Sequence, residues 1–131
     1  MTGKGFTESD FTFLECSNSA AVTGRLYAGG MTGCNKSASA KFTNCSNVGS
    51  ISGGERANGI AAMGGSFIAC INAGTVNSSG EQANGITGAA ADITQCGNTG
   101  TVNGGIAAGI ARHAMRIEKC YNTGKISATA G

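Results

Sequence analysis

One short phrase that begins with cysteine occurs five times in this chain. Aligned on that cysteine, the copies read CSNSAAVTG, CSNVGSISG, CINAGTVNS, CGNTGTVNG and CYNTGKISA. They begin at Cys16, Cys45, Cys70, Cys96 and Cys120, so the intervals are 29, 25, 26 and 24 residues. A period of roughly 20 to 50 residues is typical of folds in which each unit packs only on its neighbours. The chain is therefore predicted to be a single array of stacked repeats.

Each repeat contains three short apolar segments separated by Gly, Ser and Asn. In the first segment a β-branched residue alternates with polar ones, and this period of two indicates a strand. A leucine-rich repeat is excluded because Leu14 and Leu26 are the only leucines, and collagen is excluded because there is no proline. The prediction is an all-β fold, a parallel β-helix or β-solenoid of about five three-strand coils, each 24–29 residues long.

Stacking such coils places equivalent residues above one another. The five cysteines are predicted to form one interior column, because cysteine is small and often buried. The asparagines two positions later are predicted to form a second column at a turn, where amides can donate and accept along the axis. They are Asn18, Asn47, Asn72, Asn98 and Asn122. The glycine that follows in four copies would tolerate a positive φ.

The two ends of the chain differ from the repeats. Residues 1–15 concentrate aromatic residues and break the pattern, which predicts a cap or docking segment, with solenoid repeats over residues 16–131. The last copy stops at Ile126 and the few residues after it, in the middle of a coil. Either the chain is a piece of a longer array, or this end accepts the start of another molecule, and head-to-tail contacts of that kind produce a filament. Self-association, head-to-tail or lateral, is the partner expectation.

The phrases CYNTGKIS, CGNTGTVNGG and AGGMTG resemble the GLUG-type repeats of bacterial surface and extracellular proteins. The chain departs from that motif where its paired glycine becomes Asn58-Gly59, Asn84-Gly85 or Ala108-Gly109. The resemblance implies a secreted or cell-surface repeat used for display, adhesion or spacing, and it implies no active site or cofactor.

The residues that can carry chemistry are scattered. No cysteine pair has the short spacing of a zinc site, so no metal is predicted. His113 has no triad partner by spacing, and Cys34 lies outside the column. Glu55 and Glu81 occupy equivalent positions and could stack as two carboxylates, which leaves a carbohydrate-active β-helix open as an alternative. The leading prediction is a protein that is not an enzyme.

Two outward surfaces remain as candidates for binding. The first is a flat face of hydroxyl and amide groups. Successive coils repeat these groups about every 4.8 Å, a spacing that suits a glycan or an ice surface. The face consists of Ser50, Ser52, Thr75, Asn77, Thr101 and Asn103. The second consists of small residues that either form a smooth face for lateral packing or reflect what a tightly wound coil tolerates: Gly59, Ala61, Gly85, Thr87, Gly109 and Ala111. Ice binding through the first face is an alternative to the structural role.

Charge and hydropathy exclude other partner classes. A formal charge of +2 without a basic run gives no footprint for nucleic acid. No segment approaches the roughly 20 apolar residues that span a bilayer, so membrane insertion is not predicted. The first residues lack the apolar core of a signal peptide, so either the protein is cytosolic or a leader has been removed; the resemblance favours an extracellular or surface location.

Overall fold

The computed structural model describes residues 12–33 and 39–129. Within those ranges the chain forms nineteen short strands and no helix. The first coil consists of β1 (Thr12–Leu14), β2 (Ser17–Asn18), β3 (Val22–Gly24) and β4 (Tyr27–Gly29). The second consists of β5 (Lys41–Thr43), β6 (Ser46–Asn47), β7 (Ile51–Gly53) and β8 (Arg56–Asn58).

From the third coil onward the first strand is longer. The third coil consists of β9 (Ala61–Ile68), β10 (Ile71–Asn72), β11 (Val76–Ser78) and β12 (Gln82–Asn84). The fourth consists of β13 (Thr87–Thr94), β14 (Gly97–Asn98), β15 (Val102–Gly104) and β16 (Ile106–Ala108). A partial fifth coil consists of β17 (Ala111–Glu118), β18 (Tyr121–Asn122) and β19 (Ile126–Ala128). The predicted β-solenoid is confirmed, with about four complete turns.

Four parallel sheets run along the solenoid, one more than the sequence predicts. Sheet 1 contains β1, β5, β9, β13 and β17; sheet 2 contains β2, β6, β10, β14 and β18; sheet 3 contains β3, β7, β11, β15 and β19; sheet 4 contains β4, β8, β12 and β16. The extra sheet arises because the cysteine phrase bends after its asparagine. In the third coil this turn separates Asn72, which ends β10, from Val76, which begins β11.

The corner between sheets 1 and 2 has a left-handed backbone in every coil. The residue before each column cysteine has φ of 53° or 54°: Glu15, Asn44, Ala69, Gln95 and Lys119. This region costs roughly 1–2 kcal/mol for most residues, and only one of the five is an asparagine. The corner is held by backbone bonds between coils, such as Ala69 N–H to the Thr94 carbonyl at 3.0 Å.

The interior holds two apolar clusters. The larger one lies between sheets 1 and 2 and contains the cysteines and a stack of phenylalanines. Phe13 stacks on Phe42 with ring centroids 4.9 Å apart, and Phe42 stacks on Phe67 at 4.6 Å. Such pairs add about 0.5–1.5 kcal/mol each beyond the area that they bury. The smaller cluster lines sheets 3 and 4 with Ile51, Val76 and their neighbours.

The first coil begins earlier than predicted. Thr12–Leu14 pairs with Lys41–Thr43 in the parallel register that the later coils repeat. The predicted boundary at residue 15 therefore divides a coil, because the phenylalanine column of sheet 1 extends back to Phe13. The rest of the predicted cap, residues 1–11, lies outside the described residues, as does Cys34.

Candidate functional site

The predicted asparagine column is a continuous ladder of hydrogen bonds, called here the Asn ladder. From Asn18 to Asn122, each side-chain amide donates to the side-chain oxygen in the next coil at 2.6–2.8 Å. The same nitrogen also donates to a backbone carbonyl two residues later, for example Asn72 Nδ2 to the Gly74 oxygen at 2.9 Å. Each rung therefore fixes its own turn and joins it to the next coil.

The glycines around the Asn ladder are required by close packing. A Cβ placed on Gly59 would lie 2.6 Å from Asn72 Cγ, and one on Gly85 would lie 2.7 Å from Asn98 Cγ. The turn glycine would tolerate a positive φ, but the structure does not use that freedom. A Cβ on Gly74 would instead collide with the carbonyl oxygen of Gly49 in the preceding coil, and its φ is not in the left-handed region.

The cysteines form the second predicted column, and all five that the structure describes are free thiols. Each of the last four donates to a carbonyl oxygen one coil back, as Cys70 Sγ does to the Phe42 oxygen at 3.4 Å. Hydrogen bonds to the Cys45 and Cys96 side chains, followed by burial, raise the pKa of Cys70 far above its ordinary value. The centre of the column is a structural donor that stays protonated.

The polar face lies on the outside of sheet 3. Its residues alternate with the buried Ile51, Val76 and Val102, and Thr23, Ser52, Asn77, Asn103 and Ser127 follow one another in register. Asn103 Nδ2 donates to Asn77 Oδ1 at 2.7 Å. Next to this column run Ser50, Thr75 and Thr101, each directly before a strand.

The polar face is not flat throughout. At its junction with sheet 4 there is an open depression of about 340 Å³. Its lining consists of small groups: Thr23, Gly24, Ser52, Gly53, Gly54, Asn77 and Ser79. The depression forms because the corner residues there are mostly glycine and serine, which leave space above the backbone.

The second candidate surface does not face outward as a packing face would. Ala61 and Thr87 are fully buried, and Gly59 and Gly85 are buried against the Asn ladder. Gly109 and Ala111 are half-buried in the last described coils. The chain turns inward at this corner, because both Ile60 and the residue that follows it enter the larger apolar cluster.

The two glutamates do stack, but they do not pair with each other. Glu81 N–H donates to the Glu55 carbonyl at 2.9 Å, which places the two residues in successive coils. The Glu81 carboxylate instead contacts Arg56, with Nε and Oε2 3.4 Å apart at an exposed corner. Arg56 also lies over the ring of Tyr27 at 5.9 Å. Among the described residues, no group of three His, Cys, Asp or Glu side chains could hold a metal ion.

A smaller groove, called here the arginine groove, was not predicted. Its volume is about 130 Å³, and it lies between sheet 4 and the first half of the long strands of sheet 1. Its walls are formed by Arg56, Asn58, Ala62, Met63, Gln82, Gly88, Ala89, Arg112 and His113. These residues come from five strands, and no spacing in the sequence indicates that the solenoid brings them together.

No family model, no curated protein and no solved structure matches this chain. The likeness to GLUG-type repeats therefore stays a prediction from the motifs. Within residues 12–33 and 39–129, no helix is long and apolar enough to cross a membrane.

Proposed function

We propose that this chain is a non-catalytic structural module of an extracellular or cell-surface protein, which acts by its shape and its repetition. The observation that carries the proposal is the pair of internal columns. The asparagines from Asn18 to Asn122 and the cysteines from Cys45 to Cys120 use their polar groups for hydrogen bonds between coils. Residues used in this way build a stiff rod that spaces or displays other groups.

End-to-end association of such rods is the finer part of the proposal. Within the described residues, β17, β18 and β19 are paired on one side only. Their edges carry the same register as the inner coils, and unpaired edges are templates for further strands. The Asn ladder is also directional, because its donors point toward Asn122 and its acceptors toward Asn18. A second copy added head to tail would continue sheets 1, 2 and 3.

Light scattering and negative-stain electron microscopy test this assembly. We expect filaments whose subunit repeat matches the length of one solenoid. The variant Ile117→Lys places a charge in the column below the buried Ile93, and it is expected to give monomers. Met115→Lys is the matched control, since Met115 is 89% exposed on the same strand. Monomers of the wild-type protein at every concentration would refute end-to-end assembly.

Ice binding through the polar face is a second candidate. The observation in its favour is the in-register array of small polar side chains that includes Ser52, Asn77 and Asn103, repeated at about 4.8 Å. Thr101→Tyr is expected to abolish thermal hysteresis, while Thr123→Tyr, at a turn beside the face, is expected to preserve it. No thermal hysteresis in the wild-type protein would remove this candidate.

A further inference from the structure

The arginine groove contains an amide without a partner. The Gln82 side chain lines the groove, and the residue is only 5% exposed. None of the hydrogen bonds among the described residues involves its side-chain amide. The fully buried polar atoms without a partner among the described residues belong to Thr32 and Asn84, so the amide atoms of Gln82 still reach the solvent in the groove. The register neighbours of Gln82, Arg56 and Ile106, do not supply a partner. Gln82 therefore presents a donor and an acceptor to whatever enters the groove.

Cationic groups stand at both ends of the arginine groove. Arg56 lies on β8, and Arg112 and His113 lie on β17, two strands along sheet 1 from β9. Two strand spacings correspond to about 10 Å along the axis. Arg112 takes part in neither of the two ion pairs among the described residues, whereas Arg56 forms an ion pair with Glu81. A ligand anion would therefore meet an uncompensated guanidinium at the Arg112 end.

The rest of the lining narrows the ligand class. No Asp or Glu lines the groove, so the ammonium of an amino acid would have no anionic partner there. Ala62, Met63 and Ala89 contribute apolar groups to the lining, and the amides of Asn58 and Gln82 belong to the same strand as Arg56 and to the strand paired with it. A sugar ring has an apolar face and hydroxyl groups that suit these apolar groups and these amides. Guanidinium groups bind carboxylates with paired hydrogen bonds.

We propose that the arginine groove binds an acidic sugar, a uronic acid whose carboxylate contacts Arg112 and whose hydroxyls contact the Gln82 amide. This goes beyond the structural role, because a rod needs no ligand site. It is also distinct from the polar face, which lies on sheet 3 and has no cationic residue within its central coils.

The test is a titration of the ¹⁵N-labelled protein followed by nuclear magnetic resonance. The probes are galacturonic acid and its di- and trisaccharides, with galactose, acetate and inorganic phosphate as comparisons. We expect galacturonate to shift the signals of the Gln82 side-chain amide and the Arg112 guanidinium saturably. Galactose and acetate are each expected to bind at least about tenfold more weakly, since each lacks one half of the contacts.

Three variants separate binding from folding. Arg112→Gln is expected to weaken galacturonate binding about tenfold, as loss of a charge-assisted bond should. Arg116→Gln is the matched control on the same strand, because Arg116 pairs with Asp92 outside the groove lining. Gln82→Leu keeps the packing and removes the amide from the groove, so it should lower affinity while the melting temperature stays the same.

Each remaining result would overturn the proposal. No saturable shift with any galacturonate would show that the groove is not an acidic-sugar site. Equal affinity for galactose would remove the role of the carboxylate, and equal affinity for phosphate would remove the role of the sugar. An equal effect of Arg112→Gln and Arg116→Gln would show that only overall charge matters. A lower melting temperature for Gln82→Leu would show that this amide serves the fold.

Discussion

Replacing Asn72 with alanine removes the middle rung of the Asn ladder. Asn72 is fully buried, and its amide nitrogen donates to Asn98 Oδ1 at 2.7 Å and to the Gly74 carbonyl at 2.9 Å. Its oxygen accepts from Asn47 Nδ2 at 2.8 Å. The variant therefore deletes three hydrogen bonds and opens a cavity beside Gly59, which packs directly on this side chain.

The expected loss follows from those contacts. Three hydrogen bonds at a net of about 1 kcal/mol each give about 3 kcal/mol. Asn98 Oδ1 then remains buried without a donor, and the cavity adds to the cost, so the free energy of unfolding should fall by about 3–5 kcal/mol. At the exposed end of the ladder, Asn122→Ala loses two bonds that water can replace. For Asn122→Ala the free energy of unfolding is therefore expected to fall by about 1 kcal/mol.

Urea denaturation followed by far-ultraviolet circular dichroism measures both changes. The midpoint and the slope are fitted separately, because a changed slope would indicate altered residual structure or a loss of two-state behaviour. Since terminal coils of repeat proteins can unfold on their own, the stack of phenylalanines is monitored as a second probe in the near ultraviolet. Equal losses for Asn72→Ala and Asn122→Ala, or a loss below about 1 kcal/mol for Asn72→Ala, would refute the reasoning.

Three further changes give distinct expectations. Gly74→Ala should lower the free energy of unfolding by about 3 kcal/mol or more, because the new Cβ meets a backbone carbonyl. Gly97→Ala should lower it by about 1 kcal/mol, because only a movable tyrosine ring blocks the Cβ there. Equal melting temperatures of the two variants would contradict this difference. Ala108→Asn should raise the free energy of unfolding by about 1 kcal/mol. The new side chain would donate a hydrogen bond to Asn84 Oδ1, which is buried without a partner among the described residues. An unchanged urea midpoint would argue against this expectation. The raised pKa of Cys70 means that the unfolded chain releases its thiol proton first, so stability should fall as pH rises above about 9, by up to about 1.4 kcal/mol per pH unit. A Cys70→Ala variant with the same alkaline loss would show that other groups cause it.

Much of the interior could be predicted from the sequence, because identical residues at one repeat position must stack in a solenoid. This is why the cysteine and asparagine columns, and the inward Val76 and its equivalents, were expected correctly. The number of sheets was not predicted correctly. The few residues around Gly74 have the same sequence pattern whether they lie within one strand segment or form a turn between two strands. The left-handed corners before the cysteines gave no signal either, because glutamate, alanine, glutamine and lysine occupy four of the five.

The surface was predicted less well, for a geometrical reason. A strand pattern indicates which side chains point outward only while the strand is straight. At the corner that follows Asn58 the chain turns, so Ile60 and Ala61 both enter the core and the expected packing face disappears. The arginine groove needs the same corner together with the stacking of separate coils. Arg56 and Arg112 are far apart in the chain, and only the four-sheet cross-section brings them to one groove.

The side-chain amide resonances of the five ladder asparagines provide the most direct test of this account. If the coils stack as described, nuclear Overhauser effects should connect the Nδ2 protons of each asparagine with the turn of the next coil, in order from Asn18 to Asn122. The buried rungs at Asn47, Asn72 and Asn98 should also exchange with solvent far more slowly than the exposed Asn122. Rapid exchange at all five positions, or contacts that skip a coil, would contradict the ladder and the solenoid built on it.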